Sequence, residues 1–175
     1  RRRNQIKQIY VPECSMKWIR NDLLRIDVSS DPSLMGKSLK SKLLSQDEFN
    51  RLPNDFHVQV GGVKHPDPRN PERQVKTTPA YFGNYGVILE GINGAKKKMG
   101  MKNAVCYDGS YKRGDCGNLV KIMGGPSGFM GKLLGFHSHA APGERWGSCT
   151  PVVKEDLPDE FMIKRKAALR CMQVM

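Results

Sequence analysis

The apolar positions of this chain recur mostly at every second residue, in short bursts. Leu24, Ile26 and Val28 alternate with Arg25 and Asp27, and Val58 and Val60 flank Gln59 just ahead of Gly61 and Gly62. Such a period belongs to half-buried β-strands, whose side chains point by turns to the core and to solvent. Further strands are predicted over residues 8–11, 85–89, 104–107, 119–123, 132–137 and 150–153, where β-branched, aromatic and leucine residues cluster between glycines and prolines. Helical spacing occurs twice. Leu39, Leu43 and Leu44 share one face of a helix predicted over 37–49, bracketed by Gly36 and Pro53. A second helix is predicted over 159–172, with acids early and bases late as the helix dipole favours. Many short strands separated by turn residues predict an all-β fold, a barrel or a sandwich.

The stretch 63–79 holds Pro66, Pro68, Pro71 and Pro79 and few large apolar side chains, so it is expected to be an exposed connector. It would divide a first unit, 1–62, from a second, 80–157, with 158–175 as a C-terminal helix or tail. The first unit is short for a closed barrel, and Arg1 is not an initiator methionine. The expectation is therefore a first barrel whose beginning lies upstream of Arg1.

Composition narrows the class. The chain has 175 residues and a mass of 19.7 kDa, enough to bury a core without a disulfide framework. No apolar run is long enough to span a membrane, and no apolar segment follows Arg1–Arg3 to make a secretory signal. Lys and Arg number 29 against 17 acids, a net charge of +12, which favours an acidic partner such as RNA. Lys37, Lys40 and Lys42, on the predicted helix, are the candidate RNA contacts. The five cysteines, Cys14, Cys106, Cys116, Cys149 and Cys171, contain no C-x-x-C, which argues against a zinc ribbon and for free thiols in a reducing compartment.

Two segments carry chemistry. In Lys112-Arg113-Gly114-Asp115-Cys116-Gly117-Asn118 a cysteine sits in an uncrowded turn between glycines. Glycines let several backbone N–H groups face one point, which suits an oxyanion hole, and a thiol there is a good nucleophile once a base ionises it. In Gly135-Phe136-His137-Ser138-His139 the two imidazoles alternate onto one face of a predicted strand. An H-x-H pair can bind metal, but no third ligand is identifiable, so no metal is assigned.

Together these segments resemble the C-terminal barrel of the picornavirus-like 3C cysteine proteases, chymotrypsin-fold enzymes with cysteine as nucleophile. The matching pieces are Gly114-Asp115-Cys116-Gly117, Gly135-Phe136-His137, Gly147-Ser148 and Glu155-Asp156-Leu157, in the family's order and spacing. The resemblance implies two antiparallel β-barrels, the first incomplete here. It implies Cys116 as nucleophile and the backbone N–H groups of Gly114, Asp115 and Cys116 as the oxyanion hole. His137 would line the S1 pocket and donate to the side-chain carbonyl of a P1 glutamine. Five residues before the cysteine, where the family usually has a threonine as second donor, stands Tyr111, with Ser110 beside it. The segment from Trp18 to Ile26 resembles the family strand that begins with the catalytic acid, which would be Asp22.

In that family the catalytic histidine precedes the acid, and no histidine precedes Asp22 here. The histidine is expected upstream of Arg1, with a rearranged site using His57 as the alternative and the given chain inactive. The function implied is a viral endopeptidase that cleaves a polyprotein after glutamine in the host cytoplasm, through an acyl-enzyme on Cys116 and with no cofactor. The rival is a basic RNA-binding module without proteolysis. Viral RNA is a partner under either reading.

Overall fold

The computed structural model describes residues 9–158 apart from 21–22, 29–32, 34–35, 68, 91–92, 113 and 141–142. Asp22 and the predicted helix over 159–172 therefore lie outside the described residues. The chain divides into two compact units, 1–38 and 39–175. In the first, β1 (Met16–Arg20) and β2 (Leu23–Ile26) form an antiparallel hairpin that sets Met16 opposite Ile26 and Trp18 opposite Leu24. Residues 9–12 carry no regular structure, so the described part of the strand predicted over 8–11 does not form.

The second unit is mainly antiparallel sheet with one short helix. After α1 (Gln46–Asn50) come β3 (Phe56–Val60), β4 (His65–Asp67), β5 (Asn70–Val75), β6 (Thr78–Glu90), β7 (Lys96–Asp108), β8 (Leu119–Gly124), β9 (Leu133–Ala140) and β10 (Trp146–Pro151). Six of these strands close into a barrel in the ring order β10-β7-β6-β3-β8-β9. Closure leaves the sheet no free edge. Phe56, Val58 and Val60 of β3 point inward, as their alternation predicts, and meet Val105 and Tyr107 of β7, Val120 and Ile122 of β8 and Leu134 of β9. Each such side chain contributes roughly 1.5–3 kcal/mol by leaving water. Among the described residues no helix is long and apolar enough to cross a membrane.

Three expectations are corrected. The helix over 37–49 is not one helix. Lys40–Lys42 form a 3-10 turn, and Leu43 and Leu44 run extended as buried bridges to Leu133 and Val153. The α-helix starts only after Ser45, whose hydroxyl accepts from the Glu48 N–H while the Glu48 carboxylate accepts from the Ser45 N–H. That capping box ends the extended run because it satisfies the first helical donors at Ser45 and no earlier. Lys37, Lys40 and Lys42 are consequently not aligned on a helical face, and the Lys40 ammonium donates to the Leu157 carbonyl at 3.0 Å.

The stretch 63–79 is not merely a connector, since β4 and β5 pair within it and His65 is fully buried. β3 pairs with both β6 and β8 in the closed ring.

β6 and β7, 13 residues each, run well beyond the strands predicted at 85–89 and 104–107. Gly83, Gly86 and Gly100 pair in register within this ladder, and one bulge takes up Asn84 and Asn103. Asn103 takes a positive φ of 50° and its N–H donates to the Asn84 side chain at 2.9 Å.

The Ser45 N–H, followed by Lys132 and Lys154, holds the Glu48 carboxyl below its ordinary value of 4.5. A carboxyl lowered in the folded state stabilises the fold above its unfolded pKa, and that contribution disappears as pH falls through the lower folded value. Glu48→Gln should therefore flatten the acid side of the stability profile below about pH 4.5. It should also cost about 1 kcal/mol at neutral pH by weakening the cap, measured by urea unfolding across pH.

Candidate active site

The segment after β7 returns across one end of the barrel as a chain of tight turns. The Asp115 N–H donates to the Lys112 carbonyl at 3.1 Å, the Asn118 N–H donates to the Asp115 carbonyl at 3.2 Å, and the Asp115 carboxylate accepts from the Lys112 N–H at 2.8 Å. Gly114 and Gly117 take φ values of 99° and 91°, where a side chain would be strained. Cys116 is thereby left exposed, and its thiol donates to the Ser138 carbonyl at 3.4 Å. Of the expected oxyanion donors, Asp115 is committed to its own turn. The N–H groups of Gly114 and Cys116 have no acceptor among the described residues.

Two backbone hydrogen bonds tie this turn to β9. The Gly117 N–H donates to the His137 carbonyl and the His137 N–H to the Asn118 carbonyl, both at 2.8 Å. Cys116 and His137 are thus brought together through the main chain. A register shift between Ser148 and Cys149 on β10 sets His139 opposite Ser148 and His137 opposite Cys149. The two imidazoles meet different partners as a result. His139 Nδ1 lies 2.8 Å from the Ser138 hydroxyl and 3.2 Å from that of Tyr85, which in turn bonds Ser148. Among the described residues no group of three metal-binding side chains forms.

His137 is 1% exposed. Its Nδ1 is 3.0 Å from the hydroxyl of the fully buried Tyr107, and its ring stacks on Tyr111 with centroids 4.3 Å apart. Gly147, the glycine of the Gly-Ser pair, makes the stack possible. A Cβ there would stand 2.7 Å from both the His137 and the Tyr111 rings. Burial lowers the pKa of His137 and raises that of Tyr107, so both are neutral at physiological pH.

The tautomer follows from counting donors. If Tyr107 donates to Nδ1, its proton is satisfied and a single group is left over, an N–H at Nε2. If Nδ1 donates instead, the buried hydroxyl proton and the Nε2 lone pair both go unmet. An unmet buried group costs about 1–3 kcal/mol, so the first arrangement prevails. His137 then carries an N–H at Nε2 that is buried and lacks a partner among the described residues.

Tyr111 supports the histidine as a stacking ring, and its own hydroxyl donates to the Asp108 carbonyl at 3.3 Å. Its hydroxyl proton is thus engaged within the protein. Ser110 is exposed and makes no hydrogen bond among the described residues. The hydrogen bond of the Cys116 thiol goes to a carbonyl, that of Ser138, and His57 lies exposed on β3 opposite Pro79 and Gly124. Tyr107 and His65 were missed. In sequence, Tyr107 is one more apolar position of a strand, and His65 is hidden among prolines.

No family model matches this chain, and no curated protein is similar enough to it to count as a relative.

Tyr107→Phe should remove the group that fixes the His137 tautomer and cost about 1 kcal/mol of stability. The check is the imidazole ¹⁵N spectrum, in which the single Nε2–H form should give way to a mixture. Gly147→Ala should lower the unfolding free energy by roughly 1–3 kcal/mol through overpacking against the stacked rings. An unchanged melting temperature would contradict the packing described.

Proposed function

We propose that this protein is a cysteine endopeptidase of the picornavirus-like 3C type, with a chymotrypsin-like barrel, that cleaves a viral polyprotein after glutamine. One observation carries the reading: an exposed thiol sits in a glycine turn whose next two residues, Gly117 and Asn118, are hydrogen-bonded to the backbone of a buried, neutral histidine with a spare N–H. A peptide bond over Cys116 would have its carbonyl near the free N–H groups of Gly114 and Cys116. Its preceding side chain could then reach His137. A buried N–H left without an acceptor favours a side chain that brings one, and a pocket built this way rejects residues that bring none.

The reaction is acyl transfer. The Cys116 sulfur bonds to the carbonyl carbon, the C–N bond breaks, and the amine leaves with a proton. Water then hydrolyses the thioester and returns the thiol. A base must accept the thiol proton and deliver it to the amine. Asp22 is proposed to orient that base. The host cytoplasm, where such a polyprotein is processed, would keep the thiols free. The net charge of +12 favours a second, compatible property, the electrostatic binding of viral RNA. Lys37 and Lys42 are its proposed contacts, with Lys40 already engaged by Leu157.

The test is covalent capture by a peptide that carries glutamine next to a thiol-reactive carbonyl, a probe needing recognition but no leaving amine. Cys116 should react at least tenfold faster than Cys14, the other exposed thiol among the described residues, and faster than with the alanine counterpart of the probe. Equal labelling of both cysteines, or indifference to the glutamine, would dispose of the reading.

A further inference from the structure

The β4–β5 hairpin holds a second buried imidazole that the reaction does not use. His65, on β4, is 0% exposed, and its Nδ1 lies 3.1 Å from the Asp108 carbonyl. A carbonyl can only accept, so the proton of this ring sits on Nδ1 and Nε2 presents a lone pair. Burial lowers the pKa of this histidine too and keeps it neutral. His65 Nε2 and His137 Nε2 are the two side-chain polar atoms that are buried without a partner among the described residues. Their hydrogen-bonding senses are opposite, one accepting and one donating.

Both rings pack on Tyr111. His65 meets its edge at a centroid distance of 6.1 Å, and His137 stacks on its face at 4.3 Å. Tyr111 and His65 also share an anchor, because each donates to the Asp108 carbonyl. Gly109 keeps that corner open, since a Cβ there would stand 2.8 Å from His65 Nδ1 and 2.5 Å from the Tyr111 hydroxyl.

We propose that His65 is a second recognition residue for the glutamine side chain: its Nε2 accepts from the carboxamide NH2 while His137 Nε2–H donates to the carboxamide oxygen. This rests on the protease reading. A carboxamide offers one acceptor and one donor side by side, which is the complement of the two imidazoles. A carboxylate offers only acceptors and would set an oxygen against the His65 lone pair. On this assignment His137 demands a carbonyl, and His65 separates glutamine from glutamate.

The experiment uses the full chain carrying Cys116→Ala, so that no covalent step intervenes. Its probes are three peptides that differ at one residue: glutamine, glutamate and the γ-methyl ester of glutamate. The ester keeps the carbonyl and lacks the N–H. The parent should bind the glutamine peptide about tenfold more tightly than the ester. In His65→Asn the side-chain amide can still donate to Asp108, but nothing replaces Nε2, so glutamine and ester should bind equally. A measurement without substitution at His65 guards against misfolding: in the parent, the His65 Nε2 resonance should shift upfield when the glutamine peptide is added and stay in place with the ester. A parent indifferent to all three peptides would refute the protease reading itself. A parent that prefers glutamine, with an unmoved His65 resonance or an unchanged glutamine-to-ester ratio in His65→Asn, would refute the role of His65 alone.

Discussion

The two backbone hydrogen bonds between His137 and the residues that follow Cys116 hold the candidate site together. They extend the pairing of β8 with β9 past the end of β8, so that the cysteine turn becomes part of the barrel wall rather than a free loop. A loop alone would leave the thiol free to sample many positions. Fixed at Gly117 and Asn118, it stays within reach of the Ser138 carbonyl and keeps a set orientation relative to the His137 ring. Reactive groups held by rigid elements lose little further freedom when a substrate binds, and such preorganisation lowers a barrier.

The interior of the barrel divides into two kinds of packing. Phe56, Val58, Val60, Val120, Ile122 and Leu134 make an apolar centre. Around His137 the buried residues include Tyr107, Ser148 and Thr150, whose polar atoms must be satisfied inside the protein. Ser148 meets the Tyr85 hydroxyl and Tyr107 meets His137, so most of this cost is met by internal hydrogen bonds. Among the described residues the imidazole nitrogens Nε2 of His137 and His65 remain unmet, and each is a local loss of stability that a partner would recover.

The glycines of the barrel act through space as much as through backbone freedom. At Gly135 a Cβ would collide with the Thr150 carbonyl, and at Gly147 it would enter the His137–Tyr111 stack. They lie on neighbouring strands, β9 and β10; Gly135 lets the two backbones approach, and Gly147 leaves room for the ring pair.

By itself the sequence determined the strand alternation in β3 and the exposed cysteine turn, because each depends on neighbours in the chain: a period of two, or glycines beside a thiol; the same period over Leu24 and Ile26 did not bury Ile26, which stays exposed in β2. It also pointed to His137, through the glycine two residues before it. It did not determine the helix. Leu39, Leu43 and Leu44 fit a helical face, yet the latter two gain more by lying extended in the barrel, and only contact with Leu133 and Val153 decides between those states. Nor did it determine the length of β6 and β7, since the bulge at Asn84 and Asn103 joins residues on two strands. The contacts of Tyr107, Tyr111 and His65 were decided by tertiary structure alone. Hydrogen bonds and ring stacking between distant residues leave no period in a sequence, so only the closed barrel could show that one tyrosine orients a histidine and another supports its ring.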